Sequence, residues 1–314
     1  MFQGGGIYGQ YRYFFTPKWE VIAGARLDKL ELGVKDLFLS DGDNSGQIDY
    51  IRLNPSAGFL FKQNANSSIF GDWSKHFETP ALTELSANPS NEGGFNPDLK
   101  PQTSVQYSLG YRFKHSKWIK SEFSIYQIDL KDEWIAYGLA AFPGRTFYKN
   151  AGISRRNGFE IFTHFFPEGK ISAINSMTFA SHTFRDYQSG NQNYKGNWVP
   201  GFSPFQLFSE LRAQLNPSLF FSGNIRCLGK QFANDNNSVL VPAYYLIGAR
   251  FQYNLPFKDL GFALIGGVNN LLNVEYYSNL RINAAANRFF EPAAGRTLYA
   301  GIRVNFNTTD RNAK

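Results

Sequence analysis

The feature that most constrains this chain is an alternation of apolar and polar residues. In its last long segment, AGRTLYAGIRVNF (294–306), Leu298 and Ile302 fall on one side, and Tyr299 and Arg303 fall on the other. A period of two residues predicts a β-strand with one apolar and one polar face. The same pattern recurs and predicts thirteen strands, at residues 4–15, 18–30, 48–62, 68–76, 102–114, 117–131, 152–165, 170–184, 205–215, 218–229, 243–254, 260–270 and 296–306. The predicted fold class is therefore all-β.

The lengths of the segments and of their connections indicate where these strands lie. Most segments are close to ten residues or longer, which is enough for a tilted strand to cross a bilayer. Short connections alternate with long ones, and the long ones cover 31–47, 77–101, 132–151, 185–204, 230–242 and 271–295. This asymmetry is typical of transmembrane antiparallel β-barrels. The longest apolar stretches fall far short of the roughly 20 residues of a membrane helix, which excludes a helical membrane protein.

The two faces of the predicted strands differ in chemistry. The apolar faces would contact lipid, and aromatic residues, 17% of the chain, fit the girdles at membrane interfaces. The polar faces would line the lumen, and they carry Arg12, Glu20, Arg26, Asp28, Arg52, Arg112, Glu160, Glu210, Arg212, Arg226, Arg250 and Arg303. Mutual pairing and contact with water is the simpler role for any one of these residues. The segment 117–131 changes face midway, which predicts a β-bulge.

The directions of the first and last strands predict an incomplete barrel. The first strand leaves through a short turn and the last follows a long loop, so both run towards the short-turn side. They would be parallel if they closed the sheet, whereas single-chain bacterial barrels have an even number of antiparallel strands. The opening residues, MFQGGGIYGQYRYFF, also lack the pattern of a signal peptide. We therefore expect the C-terminal part of a larger barrel, which would not fold alone.

Several stretches resemble recurrent boxes of one family, the TonB-dependent outer-membrane receptors, and they occur in the family's order. The stretches are FETPALTEL (77–85), NPDLKPQ (96–102), YKNAGISRRNGFE (148–160), GVNNLLNVEYY (267–277) and AAGRTLYAGIRVNF (293–306). The residues at the characteristic positions of these boxes are Pro80, Glu84, Asn96, Pro97, Lys100, Asn150, Glu160, Asn270, Arg296 and Phe306. Five boxes in order are a specific match, although Gln102, Leu272 and Ala294 replace the usual residues.

The resemblance implies an architecture and a role. The family's barrel has 22 strands and a plugged lumen, so residues 1–306 would be its last thirteen strands, without the plug domain, and 307–314 a polar tail. The implied function is the barrel part of an active transporter for a ferric siderophore or a similar metal chelate. The implied partners are that chelate, the TonB complex through the plug, and the lipid and lipopolysaccharide of a Gram-negative outer membrane.

Arginine and aromatic residues of the long loops are the candidate ligand-binding residues. They are Arg145, Tyr148, Arg155, Arg156, Arg185, Tyr187, Trp198, Arg281 and Arg288. Arginine presents forked donors to carboxylate or catecholate oxygens, and aromatic rings stack on flat ligands. Haem is disfavoured because no histidine lies between Phe77 and Asn96, where haem receptors of the family tend to place one. Copper is disfavoured because the chain has only two methionines and four histidines.

Other functions remain open or receive little support from the sequence. A stand-alone porin-like barrel for passive diffusion is the alternative to active uptake. An outer-membrane enzyme finds no nucleophile elbow, zinc-binding helix or phosphate-binding loop, so we predict that the chain is not an enzyme. The single cysteine allows neither an internal disulfide nor a cysteine zinc site, and we expect no cofactor. The formal charge of +7 is spread singly rather than clustered, which argues against nucleic-acid binding.

Overall fold

The computed structural model describes residues 1–90, 93–115, 117–139, 141–143, 145–150, 152–256, 260–284 and 288–306. The first half of the chain contains strands β1 (Phe2–Thr16), β2 (Trp19–Val34), β3 (Gly46–Asn64), β4 (Ser67–Glu78), β5 (Gln102–His115), β6 (Ile119–Lys131), β7 (Trp134–Gly138), β8 (Thr146–Asn150), β9 (Ile153–Phe165) and β10 (Ile171–Asp186). The second half contains β11 (Gln188–Ser189), β12 (Gln192–Asn193), β13 (Phe205–Gln214), β14 (Leu219–Leu228), β15 (Gln231–Phe232), β16 (Leu240–Val241), β17 (Tyr244–Pro256), β18 (Leu260–Asn269), β19 (Tyr277–Leu280), β20 (Phe290–Pro292) and β21 (Thr297–Phe306). The polar tail predicted at 307–314 lies outside the described residues.

Thirteen of these strands form one antiparallel sheet. Its order is β1-β2-β3-β4-β5-β6-β9-β10-β13-β14-β17-β18-β21, so each strand pairs with the next one of the sheet along the chain. The remaining eight strands form four small hairpins in the long loops. All thirteen strands predicted from the alternation are confirmed, with ends that differ by a few residues. The described residues contain no helix long and apolar enough to span a membrane.

The register of the sheet assigns each strand residue to a face. On one face apolar residues meet across the strands, as Leu27 meets Leu53 and Ile125 meets Phe159. Such residues are largely exposed, and Ile302 reaches 70%. The twelve charged residues predicted to line the lumen all lie on the opposite, polar face, as their strand partners show. We call the apolar face the outer face and the polar face the inner face.

The predicted bulge in residues 117–131 is wrong. From Ile119 to Lys131, β6 keeps an unbroken register with both β5 and β9. The outer face of β6 instead changes from apolar to polar along its length, from Ile125 to Gln127 and Asp129. At this level the inner face of β6 carries Ile128 and the buried Leu130, so the apolar residues lie on the inner face and the polar ones on the outer face. The apparent change of face therefore marks the end of the apolar band of the outer face.

The buried apolar residues lie mainly in the long loops, because the thirteen-stranded sheet has no second layer to pack against. One cluster joins Leu32 and Tyr50 at the loop ends of β2 and β3 to Leu85 and Leu99 in the next long loop. A second joins Phe184, Tyr187 and Val199, and a third joins Ala233, Val241 and Phe289. Two short helices, Leu39–Asp41 and α1 (Leu82–Leu85), belong to the same loop region. The loops therefore form packed structures above the sheet.

Candidate functional site

The residues of the first two sequence boxes fold the loop between β4 and β5. The Glu84 carboxylate accepts the backbone N–H of Ala81 at 2.9 Å, which satisfies a free donor at the start of α1. Pro80 and Leu85 are fully buried beneath this turn. Asn96 is also buried, and its backbone N–H donates to the Leu85 carbonyl at 2.7 Å. Pro97 is exposed beside it. These contacts are those of residues that hold a loop rather than a ligand.

Asn150 joins three loop segments. Its side-chain oxygen accepts the backbone N–H of Lys100 at 2.7 Å, and its amide donates to the carbonyls of Lys100 and Asp132. The indole N–H of Trp134 donates to the same Lys100 carbonyl at 2.7 Å. The side chain of the box residue Asn150 therefore binds the backbone of the box residue Lys100. This contact connects the loop after β4 to the hairpin β7–β8.

The boxes near the end of the chain act in the same way. Asn270 is buried at φ 50°, and its side chain closes a turn by bonding both the N–H and the carbonyl of Val274 at 2.8 Å. Arg296 donates to the Leu271 carbonyl at 2.8 Å and so connects this turn to the start of β21. Phe306 is the last residue of β21. Glu160 is also a box residue, but it lies on the inner face of β9 and not in a loop.

The candidate ligand-binding residues do not meet at one site. Arg145 lies on the loop surface, where its guanidinium stacks over the Phe147 ring. Arg281 pairs with Glu291 at 2.7 Å, and Arg288 is exposed. The others occupy the packed loops or the loop end of β10, and they are Tyr148, Tyr187, Trp198 and Arg185.

Two adjacent arginines of β9 point to opposite faces. Arg155 lies on the outer face and binds Asp129 at 2.5 Å. Arg156 lies on the inner face and binds Glu133 at 2.6 Å, and only 21% of its side chain is exposed. Alternation along a strand forces this division, since neighbouring side chains leave on opposite sides. Of this pair, only Arg156 can contact a ligand inside the lumen.

Arg156 lies at a concave site on the inner face of β6, β9 and β10. His182 is its direct partner across β9 and β10, and Tyr126 approaches the His182 imidazole at 3.5 Å. The Phe202 ring packs against both residues, 4.8 Å from the Arg156 guanidinium carbon and 4.8 Å from the His182 ring. Glu160 completes the lower side of the cavity, whose volume is about 390 Å³. The cavity thus combines the Arg156 guanidinium, which is paired with Glu133, with the Glu160 carboxylate, the Tyr126 ring and the His182 imidazole, and Phe202 packs behind it.

Two polar atoms of this site have no hydrogen-bond partner among the described residues. They are Nε of Arg156 and Nδ1 of His182, and both are buried. Buried polar atoms of proteins are nearly always bonded, so an unpaired donor beside a cavity is suited to a ligand oxygen. The arrangement suits a flat ligand with oxygen atoms, because the Arg156 guanidinium offers donors to oxygens and Tyr126 offers a ring.

Tyr126 is held at this site by the glycine on the neighbouring strand. Gly158 pairs with Tyr126 in the register, and a Cβ at position 158 would lie 2.2 Å from the tyrosine ring. The ring therefore lies flat across the glycine. A larger residue at 158 would displace the ring from the cavity.

Asp235 connects three long loops above the sheet. Its carboxylate accepts the Tyr187 hydroxyl at 3.0 Å and the Asn283 amide at 2.8 Å, while its backbone carbonyl accepts the Asn197 amide at 2.8 Å. Burial raises the pKa of the Asp235 carboxyl above its ordinary value, and the hydrogen bonds from Asn283 and Tyr187 offset only part of this. Burial and the charge of Asp235 also raise the pKa of the Tyr187 hydroxyl, which stays neutral.

We expect the packing of these three loops to weaken as the pH rises. The packed loops hold the Asp235 proton more tightly than open loops do, so protonation stabilises the packed state. The free energy of loop opening therefore falls as the pH rises from the ordinary range of a carboxyl through the raised pKa, and then stays constant. Hydrogen exchange of residues 187–204 and 230–242, measured against pH, reports this change. Asp235→Asn should remove the slope, and an equal slope in both proteins would contradict the assignment.

Comparison with known proteins identifies the family. A family model described as TonB dependent receptor-like, beta-barrel, matches residues 2–271. The chain belongs to this family. The resemblance drawn from the five boxes is therefore confirmed, and so is the antiparallel fold expected of a TonB-dependent barrel. TonB-dependent receptors are outer-membrane barrels that act in transport.

Individual relatives of this TonB-dependent barrel have been described. The ferrioxamine receptor of Yersinia enterocolitica is 31% identical over 159 residues, which are 50% of this chain and 21% of the receptor. The structure of the copper transporter OprC has a TM-score of 0.78 at 17% identity, over 97% of this chain and 48% of OprC. The siderophore receptor PiuA from Acinetobacter baumannii has a TM-score of 0.77 at 20% identity, over 97% of this chain and 43% of PiuA. The chain thus spans half or less of each.

Several residues of the inner site escaped the sequence analysis. Tyr126, Glu133, His182 and Phe202 are not among the predicted ligand-binding residues; Tyr126 and His182 lie in strands, whereas Glu133 and Phe202 lie in long loops. The alternation places Tyr126, Arg156 and His182 on the polar faces of three strands, and this was a usable signal. Their meeting depends on the register between strands, which short-range patterns do not fix.

Proposed function

We propose that this chain forms part of the wall of an outer-membrane transporter for active uptake of a ferric siderophore. The family supports the class of function, and the name of the Yersinia relative, a ferrioxamine receptor, supports the class of ligand. The observation that carries the proposal is the inner-face cavity of small-molecule size lined by Arg156, Tyr126 and His182, beside which two buried nitrogen atoms have no partner among the described residues. The role is binding and passage, without bond chemistry by residues of this chain.

The proposal includes a place and partners. The chain would lie in the outer membrane of a Gram-negative bacterium, with the apolar outer face in lipid and the packed loops outside the cell among lipopolysaccharide. Energy would come from the TonB complex, which would act through a plug domain of the whole receptor. Arg156, Tyr126, His182 and Phe202 would contact the chelate, while Arg145, Arg281 and Arg288 would attract it from the loop surface.

Uptake of radioactive iron tests the proposal directly. Cells that carry the whole gene are supplied with ferric trihydroxamate, tricatecholate and polycarboxylate chelates, with the gene deleted in the control strain. We expect saturable uptake of one class of chelate, lost on deletion of the gene and lost when a protonophore removes the energy supply. Uptake that rises linearly with chelate concentration and ignores the protonophore would contradict active transport and indicate passive diffusion.

A further inference from the structure

A ladder of basic side chains crosses the inner face at its short-turn end. Lys114 of β5 pairs directly with Lys120 of β6, and Lys120 pairs with His164 of β9. Lys62 of β3 lies close by, and it lines the same concavity of about 620 Å³ as Lys114 and Lys120. We call Lys62, Lys114 and Lys120 the lysine ladder. Like charges directly opposite each other destabilise a sheet, so this row has a cost that the fold alone does not require.

The described residues of this chain provide no acid that neutralises the charge of the ladder. Within the described ranges, no salt bridge includes any of its three lysines. The acid that lines the same concavity, Glu122, is bound to Arg112 at 2.7 Å. The space therefore keeps an excess of three positive charges on a concave wall, and a cleft of one sign concentrates ions of the opposite sign.

The ladder is distinct from the site at Arg156. Both lie on the inner face of β9 and its neighbours, but His164 is eight residues further along β9 than Arg156. At the rise of a β-strand this places Arg156 and His164 roughly 26 Å apart along β9, although the two concavities adjoin, since Glu122 lines both. Glu160 lies between the two levels.

We infer that the lysine ladder is a second anion site, which receives a polyanionic chelate after it leaves the site at Arg156. The identity of the anion rests on the proposed transport function, whereas the presence of the site does not. Three ammonium groups around one concavity suit a ligand with several carboxylate or phosphate oxygens, since lysine binds such groups as a point charge. A chelate without net negative charge gains nothing there. The ladder therefore selects for the charge of the ligand at the exit level.

Lysine acylation of the native receptor in detergent tests the site without any substitution. The protein is treated with a small amine-reactive ester in chloride or in inorganic pyrophosphate at equal ionic strength, and each lysine is followed by peptide mass spectrometry. A bound anion favours the protonated, unreactive amine, so we expect Lys114 and Lys120 to react about tenfold more slowly in pyrophosphate. Lys29 on the outer face and Lys195 in a loop are the matched controls, which should not change.

Two results would overturn the inference. Equal rates in the two salts would mean that no anion binds. Lysines of the ladder that fail to react even in chloride would mean that another part of the receptor covers this wall.

Transport gives an independent readout. With Lys114→Gln and Lys120→Gln combined, the maximal uptake of an anionic ferric chelate should fall about tenfold. Uptake of a chelate without negative charge should not change, and Lys29→Gln should affect neither. An equal loss for both chelates would indicate damage to the barrel and count against the anion site. If the wild-type cells import no chelate, the proposed function fails, while acylation still decides whether the ladder binds anions.

Discussion

Ile302→Arg is expected to reduce the assembly of the protein in the membrane strongly, whereas Gly301→Arg is tolerated. Ile302 lies near the middle of β21 on the outer face, opposite Leu264, and its side chain is 70% exposed. Gly301 lies on the inner face, and a Cβ there would have no neighbouring atom within 4 Å. The two variants therefore carry the same new charge one residue apart, in different solvents.

The expected difference is large for a single substitution. An arginine that faces lipid near the middle of the bilayer costs about 2–4 kcal/mol in a membrane β-barrel, whereas a residue of the lumen contacts water. Ile302→Arg should lower the amount of folded protein in the outer-membrane fraction, and it should lower the midpoint of urea unfolding in lipid vesicles. Gly301→Arg should retain both. Equal losses in the two variants would mean that the two faces of β21 do not differ as the register indicates.

The strands could be predicted because the backbone itself imposes their period. Side chains of a strand alternate between the two faces. In a sheet with lipid on one face and water on the other, apolar and polar residues therefore alternate along every strand. That is why the positions of all thirteen strands and the inner placement of residues such as Arg112, Glu210 and Arg303 followed from the sequence. The bulge predicted in 117–131 is wrong because the alternation does not show where the apolar band of the outer face ends.

The loops and the site could not be predicted in the same way. The box residues Glu84, Asn150 and Asn270 form hydrogen bonds within and between loops, and such contacts leave no periodic trace. The family resemblance located these residues, yet only the structure gives their roles. No sequence pattern indicates the role of Asp235, because acidic residues are common in polar loops. Its contacts with Tyr187 and Asn283 become visible only in the structure.

The inner site could be predicted only in part. Arg156 and His182 come from strands predicted without irregularity, whereas Tyr126 lies in 117–131, where the predicted bulge is wrong. A site also requires that all three residues lie at the same level of the sheet. The level is set by the register of β6, β9 and β10, which brings Tyr126, Arg156 and His182 together. Register depends on long-range pairing and turn geometry rather than on local pattern. Arg155 and Arg156 show the two levels of information, because alternation alone separates their faces, whereas the register is needed to bring Arg156 beside Tyr126 and His182.

Arg156→Gln is expected to weaken binding of the ferric chelate by roughly 10- to 150-fold, which corresponds to the loss of about 1.5–3 kcal/mol for a hydrogen bond to a charged group. The guanidinium is largely buried, stacks on Phe202 and has a free Nε donor directed at no other described residue. Glutamine keeps part of the volume but removes the charge and the fork. Arg156→Lys keeps the positive charge but loses the forked pair of donors. Its affinity for the chelate should therefore lie between that of the wild type and that of Arg156→Gln. Chelate binding to whole cells, measured as a dissociation constant, gives the comparison.

Arg155→Gln is the matched control for this loss. It removes an arginine that is also bound to a carboxylate, from the next residue of the same strand, but on the outer face. Affinity for the chelate should therefore stay unchanged, although the stability of the barrel can fall equally in both variants. A loss of affinity in Arg155→Gln as large as that in Arg156→Gln would mean that the effect travels through the strand. In that case the cavity at Arg156 would not be where the chelate binds, since a ligand in the lumen contacts only one of these two side chains.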